Sequence, residues 1–193
     1  MTHIIETERL ILKASERKDA EKVVDYYYRN KEFFKEWDPP QNGYLYAVKY
    51  QKKTMISNQI LMKRGELIRF WIYKKDDLNR IIGTIALNNV VRGVFQSAFL
   101  GYKLDKDEIC KGYTTEALEA LIKFAFGSFN LHRIEANIIS NNLASIAVVK
   151  KAGFIKEGSS KNYLWINDGW KDHDHYVLIN DKWKETGEWN LLF

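Results

Sequence analysis

Residues 99–117 read FLGYKLDKDEICKGYTTEA, an apolar run that passes through a polar loop into a helical pattern. The apolar run predicts a strand, and the spacing of apolar residues predicts a helix from Tyr113 to about Gly127. The first amides of a helix lack partners within it, and the helix dipole is positive at that end. With Gly112 allowing close approach of the backbone and Lys111 adding charge, they favour binding of a phosphate group. A plain strand-to-helix turn explains the same residues equally well.

A second polar motif, NLAS at residues 142–145, begins a predicted helix directly after a predicted strand. Asn142 and Ser145 are three positions apart, so both side chains can lie on one side of the first helical turn. Asn142 can also act simply as the cap of this helix, with Ser145 as a hydroxyl of the capping region. The two motifs together favour a functional site more than either does alone.

The rest of the chain alternates between strand and helix patterns. Glu8–Lys13 predicts a first strand, and Ser15 offers the cap of a first helix. Residues 30–43 carry turn residues and predict irregular structure, followed by a second helix over 44–64 that ends at Gly65. The other predicted elements are strands at Leu67–Lys74, Arg80–Val90, Phe95–Leu104, His132–Ile139 and Tyr176–Ile179, and a helix at Asn142–Ala152. This mixed order with antiparallel hairpins predicts an α+β fold, or α/β by some schemes.

Length and composition set outer limits on the kind of protein. A chain of 193 residues that is 46% hydrophobic and 28% charged predicts a single folded domain over residues 1–193. Cys110 is the one cysteine, which excludes an internal disulfide and a cysteine metal cluster. No secretory pattern and no apolar run of about 18 residues is seen, so we expect a cytoplasmic protein without membrane contact. The net charge of +5 suits an anionic ligand but is common on ordinary soluble proteins.

The order of these motifs resembles the GNAT acetyltransferase superfamily, and in particular its RimJ/RimL branch. The resemblance extends from about Glu8 to Trp183. The GNAT-like segments are Lys111–Ala117, Leu131–Ile134, Asn142–Ser145 and Gly153–Gly158, and the RimJ-like ones are Phe33–Pro39, Asn89–Phe95 and Asp168–His173. The resemblance implies a mixed, twisted sheet that splays between its fourth and fifth strands, with helices on both faces.

The resemblance also implies acetyl-CoA as co-substrate, bound in that splay. Its pantetheine arm would pair with strand backbone and with Asn142, and its diphosphate would meet the amides that open the following helix. Ser145 would donate a proton to the leaving thiolate, and the strand amide near Tyr102 would stabilise the developing oxyanion. The implied CoA-binding residues are Leu100, Tyr102, Leu104, Lys111, Gly112, Tyr113, Thr114, Thr115, Asn142 and Ser145.

The sequence departs from the family pattern in two places. Ile109, Cys110 and Thr114 stand where glutamine, a small residue, and glycine or alanine are usual, which removes side-chain contacts but keeps the main-chain donors. Phe99 stands where a glutamate base is common. A peptide α-amino group has a pKa near roughly 7.7–8.0, against roughly 10.4 for lysine, so an N-terminal acceptor depends less on such a base.

The implied acceptor is therefore the N-terminal amino group of a ribosomal or similar protein. Trp37, Arg92, Tyr163, Trp165 and Asp172 are candidate substrate residues, although Trp37 and Trp165 also suit a core and Arg92 a loop brace. Asp172, His173 and His175 fit the polar face of an exposed strand better than a catalytic role, and their spacing predicts no metal site. Two other functions stay open: acetylation of a small amine, and a non-catalytic ribosome-assembly or RNA-binding role. Ribosome association and a monomeric or homodimeric state are both compatible with the sequence.

Overall fold

The computed structural model describes residues 4–14 and 16–185, whose strands form one eight-stranded sheet with helices on both faces. The strands are β1 (Ile4–Glu6), β2 (Leu10–Lys13), β3 (Ile68–Lys74), β4 (Asp77–Val91), β5 (Ser97–Leu104), β6 (Arg133–Ile139), β7 (Ile155–Ile166) and β8 (Gly169–Ile179). The helices are α1 (Ala20–Arg29), α2 (Lys31–Lys35), α3 (Val48–Lys63), α4 (Tyr113–Phe126) and α5 (Leu143–Lys151). No helix in this part of the chain is both long and apolar enough to cross a membrane.

The sheet opens between β5 and β6, the fourth and fifth of the predicted strands. Its strand order is β1-β2-β3-β4-β5-β6-β8-β7, and β5 and β6 are the parallel neighbours. These two strands pair only from Ser97 to Phe99 on β5, where Phe99 lies opposite Glu135. Beyond that point, Leu100–Leu104 pairs with β4 alone, which leaves a gap toward residues 136–139 of β6. This gap, called the cleft below, confirms the predicted splay.

Both faces of the sheet are covered, which explains why its central strands read as nearly continuous apolar runs. Side chains alternate between faces along a strand. On β3, Phe70 and Ile72 pack with α4 and α5 on one face, the α4/α5 face. Trp71 and Tyr73 pack with α1 and α3 on the other, the α1/α3 face.

The boundaries differ from the sequence prediction where local signals are short or polar. The strand at Ile4–Glu6 has three residues, too few for a pattern, and α2 lies in a stretch predicted to be irregular. The second predicted helix is interrupted, because a 3-10 turn at Gly43–Tyr46 precedes α3. The first helix begins at Ala20, and the predicted cap at Ser15 lies outside the described residues.

Candidate active site

The cleft edge of β5 carries backbone groups free to bind a ligand. The amide of Asp105 donates to the carbonyl of Ile82 on β4 at 2.7 Å. Because backbone groups of alternate residues in a strand point to opposite edges, those of Leu100, Tyr102 and Leu104 point toward the cleft. These are the three β5 residues that the sequence analysis names for the pantetheine arm.

Two hydroxyl groups meet across the wall of the cleft. The Tyr102 hydroxyl lies 2.7 Å from the Ser145 hydroxyl and donates to the Ser145 carbonyl at 3.0 Å. Burial raises the pKa of Tyr102 to about 12, although the hydrogen bond with Ser145 opposes this shift. Tyr102 is therefore protonated at neutral pH, and the pair holds a proton that can be given to a leaving group. Asn142 caps α5 by accepting from the Ser145 amide at 3.0 Å, which positions the serine.

The start of α4 presents unpaired amides, as the sequence predicts. The first helical bond runs from the Glu116 amide to the Gly112 carbonyl at 3.1 Å. The amides of Tyr113, Thr114 and Thr115 therefore have no carbonyl one turn earlier to bind. Gly112 lies just before them with a positive φ of 81°, a conformation that residues with a side chain rarely adopt. These three donors at the positive end of the helix form a site for an anion.

The loop before α4 is held from the start of β2 by Arg9. Its guanidinium donates to the Lys111 carbonyl at 3.0 Å and to Glu116 at 2.7 Å. It also lies over the ring of Tyr113, 4.7 Å from the ring centre. The Lys111 ammonium, which the sequence predicts to add charge at the phosphate, instead pairs with Glu108 at 2.9 Å. Arg9 thus holds the backbone of the anion site in place, and the backbone amides would contact the anion.

Replacing Gly112 by alanine is expected to weaken CoA binding by about tenfold. A side chain in this left-handed conformation costs about 1–2 kcal/mol, and its Cβ would lie 3.3 Å from the Arg9 guanidinium. The loop would relieve this strain by moving the amides that are predicted to bind the phosphates. Titration calorimetry with CoA measures the effect. Gly158→Ala is the control, since its Cβ would meet no atom within 4 Å. Wild-type affinity in Gly112→Ala would contradict the assignment.

On the α1/α3 face, the segment after α2 is joined to the β7–β8 turn. Lys103 of β5 forms a salt bridge with Asp38, and the Asn167 amide donates to the Asp38 carbonyl at 3.3 Å. The Lys103 ammonium also lies over the ring of Phe34. Trp37 is half-buried beside Asp38. The candidate residue Trp37 therefore lies in a segment that contacts both β5 and the β7–β8 turn.

Tyr163 of β7 reaches back over β6 on the same face. Its hydroxyl accepts a hydrogen bond from Asn137 at 3.3 Å, and its ring packs against His173 and His175 at 5.3 and 5.1 Å between ring centres. His173 is 2% exposed, and burial lowers its pKa. The prediction that the histidines form the polar face of an exposed strand is therefore wrong for His173. Trp165 is 48% exposed and stacks edge-on with Trp170, so it is not a core residue.

The structure directs the side chains of Arg92 and Asp172, two of the predicted substrate candidates, away from this face. The Arg92 guanidinium donates to the Phe129 carbonyl at 2.8 Å and lies over the Phe129 ring, bracing the β4–β5 turn against the end of α4. Asp172 neighbours His173 on β8, so its side chain points to the opposite face, where it accepts from the Asn162 amide at 2.8 Å. Both side chains have structural partners.

Sequence reasoning missed three residues of the α1/α3 face: Tyr27, Arg69 and Asn88. Arg69 donates to Asn88 at 3.0 Å, and Asn88 donates to the Phe99 carbonyl at 3.4 Å, next to the cleft. Burial raises the pKa of Tyr27, and the positive charge of Arg69 opposes the shift. The signal in the sequence was an arginine inside the apolar run of β3.

A family model described as the acetyltransferase (GNAT) domain matches residues 9–155. The chain is 38% identical over 155 residues to the probable N-acetyltransferase YjcK of Bacillus subtilis (strain 168), covering 80% of this chain and 85% of that protein. It is 34% identical over 168 residues to the [ribosomal protein uS5]-alanine N-acetyltransferase of Escherichia coli (strain K12), covering 86% of each. The crystal structure of the ribosomal-protein-S5-alanine acetyltransferase from Vibrio fischeri superimposes with a TM-score of 0.91 at 32% identity, covering 95% of this chain and all (100%) of that one.

Proposed function

Since the chain belongs to the GNAT acetyltransferase family, we propose that it transfers the acetyl group of acetyl-CoA to the N-terminal amino group of a ribosomal protein. The hydroxyl pair of Tyr102 and Ser145 at the cleft, 2.7 Å apart, is the observation that carries the chemistry. Similarity to the two ribosomal-protein alanine acetyltransferases supports the acceptor class. The single sheet through the described residues supports one catalytic domain.

The backbone around the cleft fits acetyl-CoA, which supplies the acetyl group as a thioester. The unpaired edge of β5 at Leu100, Tyr102 and Leu104 would hold the amide-rich pantetheine arm, as one strand holds another. The free amides of Tyr113–Thr115 would hold the diphosphate. Asn142 keeps its side-chain amide available beside Ser145, because its carbonyl oxygen is used in the cap.

The residues of the cleft can supply the proton that the leaving sulfur takes up. When the acceptor nitrogen bonds to the acetyl carbon, the carbon–sulfur bond breaks. The nitrogen gives up one proton to water, and the sulfur takes up one proton. The Ser145 and Tyr102 hydroxyls are placed to donate it, since each can pass its proton to the other along their hydrogen bond. Phe99 provides no carboxylate base, which suits an α-amino group that is already partly neutral near pH 7.

An acetyl-transfer assay with thiol release as readout tests this proposal. The purified protein is given acetyl-CoA with N-terminal peptides of ribosomal proteins, with internal lysine peptides, or with small amines such as polyamines. We expect turnover with the N-terminal peptides, and loss of it when their α-amino group is blocked. Turnover confined to the small amines would overturn the acceptor assignment, and no turnover with any amine would overturn the activity.

A further inference from the structure

Arg69 lies on the α1/α3 face with part of its guanidinium unsatisfied. Its Nη2 donates to Asn88, whereas its Nε is buried and has no hydrogen-bond partner. Leaving such a donor unpaired costs about 1–3 kcal/mol, so a buried group of this kind requires an explanation.

Arg69 also lacks a carboxylate partner among residues 4–14 and 16–185. Arg29 and Arg80, on the same side of the molecule, both pair with the buried Asp105. Glu66 is close enough to line the same cavity as Arg69, but it is exposed and forms no ion pair with it. The charge of Arg69 is therefore available to a ligand.

A cavity of about 360 Å³ lies in front of Arg69, between the second half of α3 and the strands β3 and β4. Its lining includes Asn58 and Leu61 of α3, and Asn88 of β4. It is large enough for an acidic side chain. Asn88 connects it to Phe99, the last residue of β5 before the cleft opens.

The floor between Arg69 and the cleft is made of small residues. Arg69 pairs with Ala86 on β4, and Ala86 pairs with Gly101 on β5, so the three residues form one row across the sheet on the same face. A Cβ atom at Gly101 would come within 3.3 Å of the Asn88 side chain. The Asn88 side chain therefore covers this row, where Ala86 is 4% exposed, and an acceptor chain would pass over Asn88 on its way from the cleft toward Arg69.

We propose that Arg69 and Asn88 form a subsite that binds a carboxylate side chain in the second or third residue of the acceptor. This inference rests on the proposed function. A guanidinium binds a carboxylate with two parallel hydrogen bonds, and the Arg69 side chain lines the cavity in which such a carboxylate would lie. Arg69 is two strand spacings from β5, about 10 Å, and an extended peptide advances about 3.3 Å per residue. The second and third residues of an acceptor whose amino nitrogen is at the cleft lie about 3.3 and 7 Å along this path, and the side chains of the glutamate and of Arg69 span the remaining distance.

Matched peptides test the subsite. The acceptors begin with alanine and carry glutamate, glutamine or lysine at the second or third position, and kcat/KM is measured for each. The wild-type enzyme is expected to prefer a glutamate peptide over its glutamine counterpart by about tenfold or more, as a hydrogen bond to a charged group would give. Arg69→Gln should abolish this preference, and Arg69→Glu should shift it toward the lysine peptide. Arg64→Gln, which removes an exposed positive charge at the end of α3, should retain the wild-type ratio.

The glutamate-to-glutamine ratios of kcat/KM distinguish failure of the subsite from failure of the proposed function. Equal glutamate-to-glutamine ratios in the wild type and in Arg69→Gln, with every peptide acetylated, would overturn the subsite and leave the activity standing. If no peptide is acetylated, the proposed function fails, and titration of the same peptides still decides the subsite. Preferential binding of the glutamate peptide, lost in Arg69→Gln, would support it, and equal binding would refute it.

Discussion

The double variant Tyr102→Phe/Ser145→Ala is expected to lower kcat at least about 100-fold, while the dissociation constant of CoA stays close to that of the wild type. A positioned proton donor contributes about 10²- to 10⁴-fold to such a reaction, and this variant removes both hydroxyls at the cleft. The proposed phosphate contacts come from the backbone of α4, away from either side chain, so this variant should leave them intact. Thiol release measures kcat, and calorimetry measures CoA binding.

The single variants show how the two hydroxyls share the proton. Because the hydroxyls lie 2.7 Å apart, one can replace the other as donor, so each single variant should lose less than the double variant loses. The control is Tyr44→Phe/Ser57→Ala, which removes a tyrosine and a serine hydroxyl from two exposed residues. A double variant with wild-type kcat would eliminate the pair as the source of the proton.

Replacing Asp105 by asparagine is expected to lower the free energy of unfolding by about 3–5 kcal/mol, the usual cost of removing one partner from a buried ion pair. The Asp105 side chain is completely buried and accepts from Arg29 at 2.7 Å and from Arg80 at 3.1 Å. Its other oxygen accepts from the Asp107 amide at 3.1 Å. Asparagine keeps the shape but leaves two guanidinium groups without their shared negative charge. Denaturant unfolding measures the change.

The matched control for this variant is Asp168→Asn. Asp168 is 86% exposed and lies 3.8 Å from Lys171, so its removal should cost less than about 1 kcal/mol. Equal losses in the two variants would contradict the role given to Asp105.

The contribution of Asp105 should also depend on pH. Burial disfavours its charged form, but the hydrogen bonds from Arg29, the Asp107 amide and Arg80 outweigh burial and lower its pKa. A carboxyl group whose pKa is lowered on folding stabilises the protein above its unfolded pKa, near about 3.9. That stabilisation is lost as the pH falls through the lowered folded pKa. The difference in unfolding free energy between wild type and Asp105→Asn should therefore narrow in acid, and a constant difference would refute this explanation.

The coenzyme side of the site follows closely from the sequence because it depends on consecutive residues. Gly112 and the next three amides belong to one turn of chain, and Asn142 caps the helix that carries Ser145. The free amides at a helix start and the cap at its first residue are local properties. The contact between Tyr102 and Ser145, 43 positions apart, needed the fold to bring β5 against α5.

The proposed acceptor side is harder to predict from the sequence because it depends on which face a strand residue occupies. Asp172 and His173 are adjacent in sequence, yet only His173 points to the α1/α3 face. The pairing of β7 with β8 shifts register between Lys156 and Gly158 and again between Ser160 and Leu164. One extra residue in a strand exchanges its faces, and no local pattern marks these shifts.

The amino-acid sequence by itself therefore predicted most of the strands and helices and a candidate site for a phosphate-bearing coenzyme, since both arise from hydrophobic periodicity and from helix ends a few residues long. Only the tertiary structure distinguished the two arginines, Arg69 and Arg92, that are candidates for the proposed acceptor side. The Arg92 guanidinium donates to the Phe129 carbonyl, whereas Arg69 lines the cavity between α3 and the strands β3 and β4. Whether a charged side chain has hydrogen-bond or ion-pair partners depends on residues far away in the chain, because only folding brings those residues near it or keeps them away.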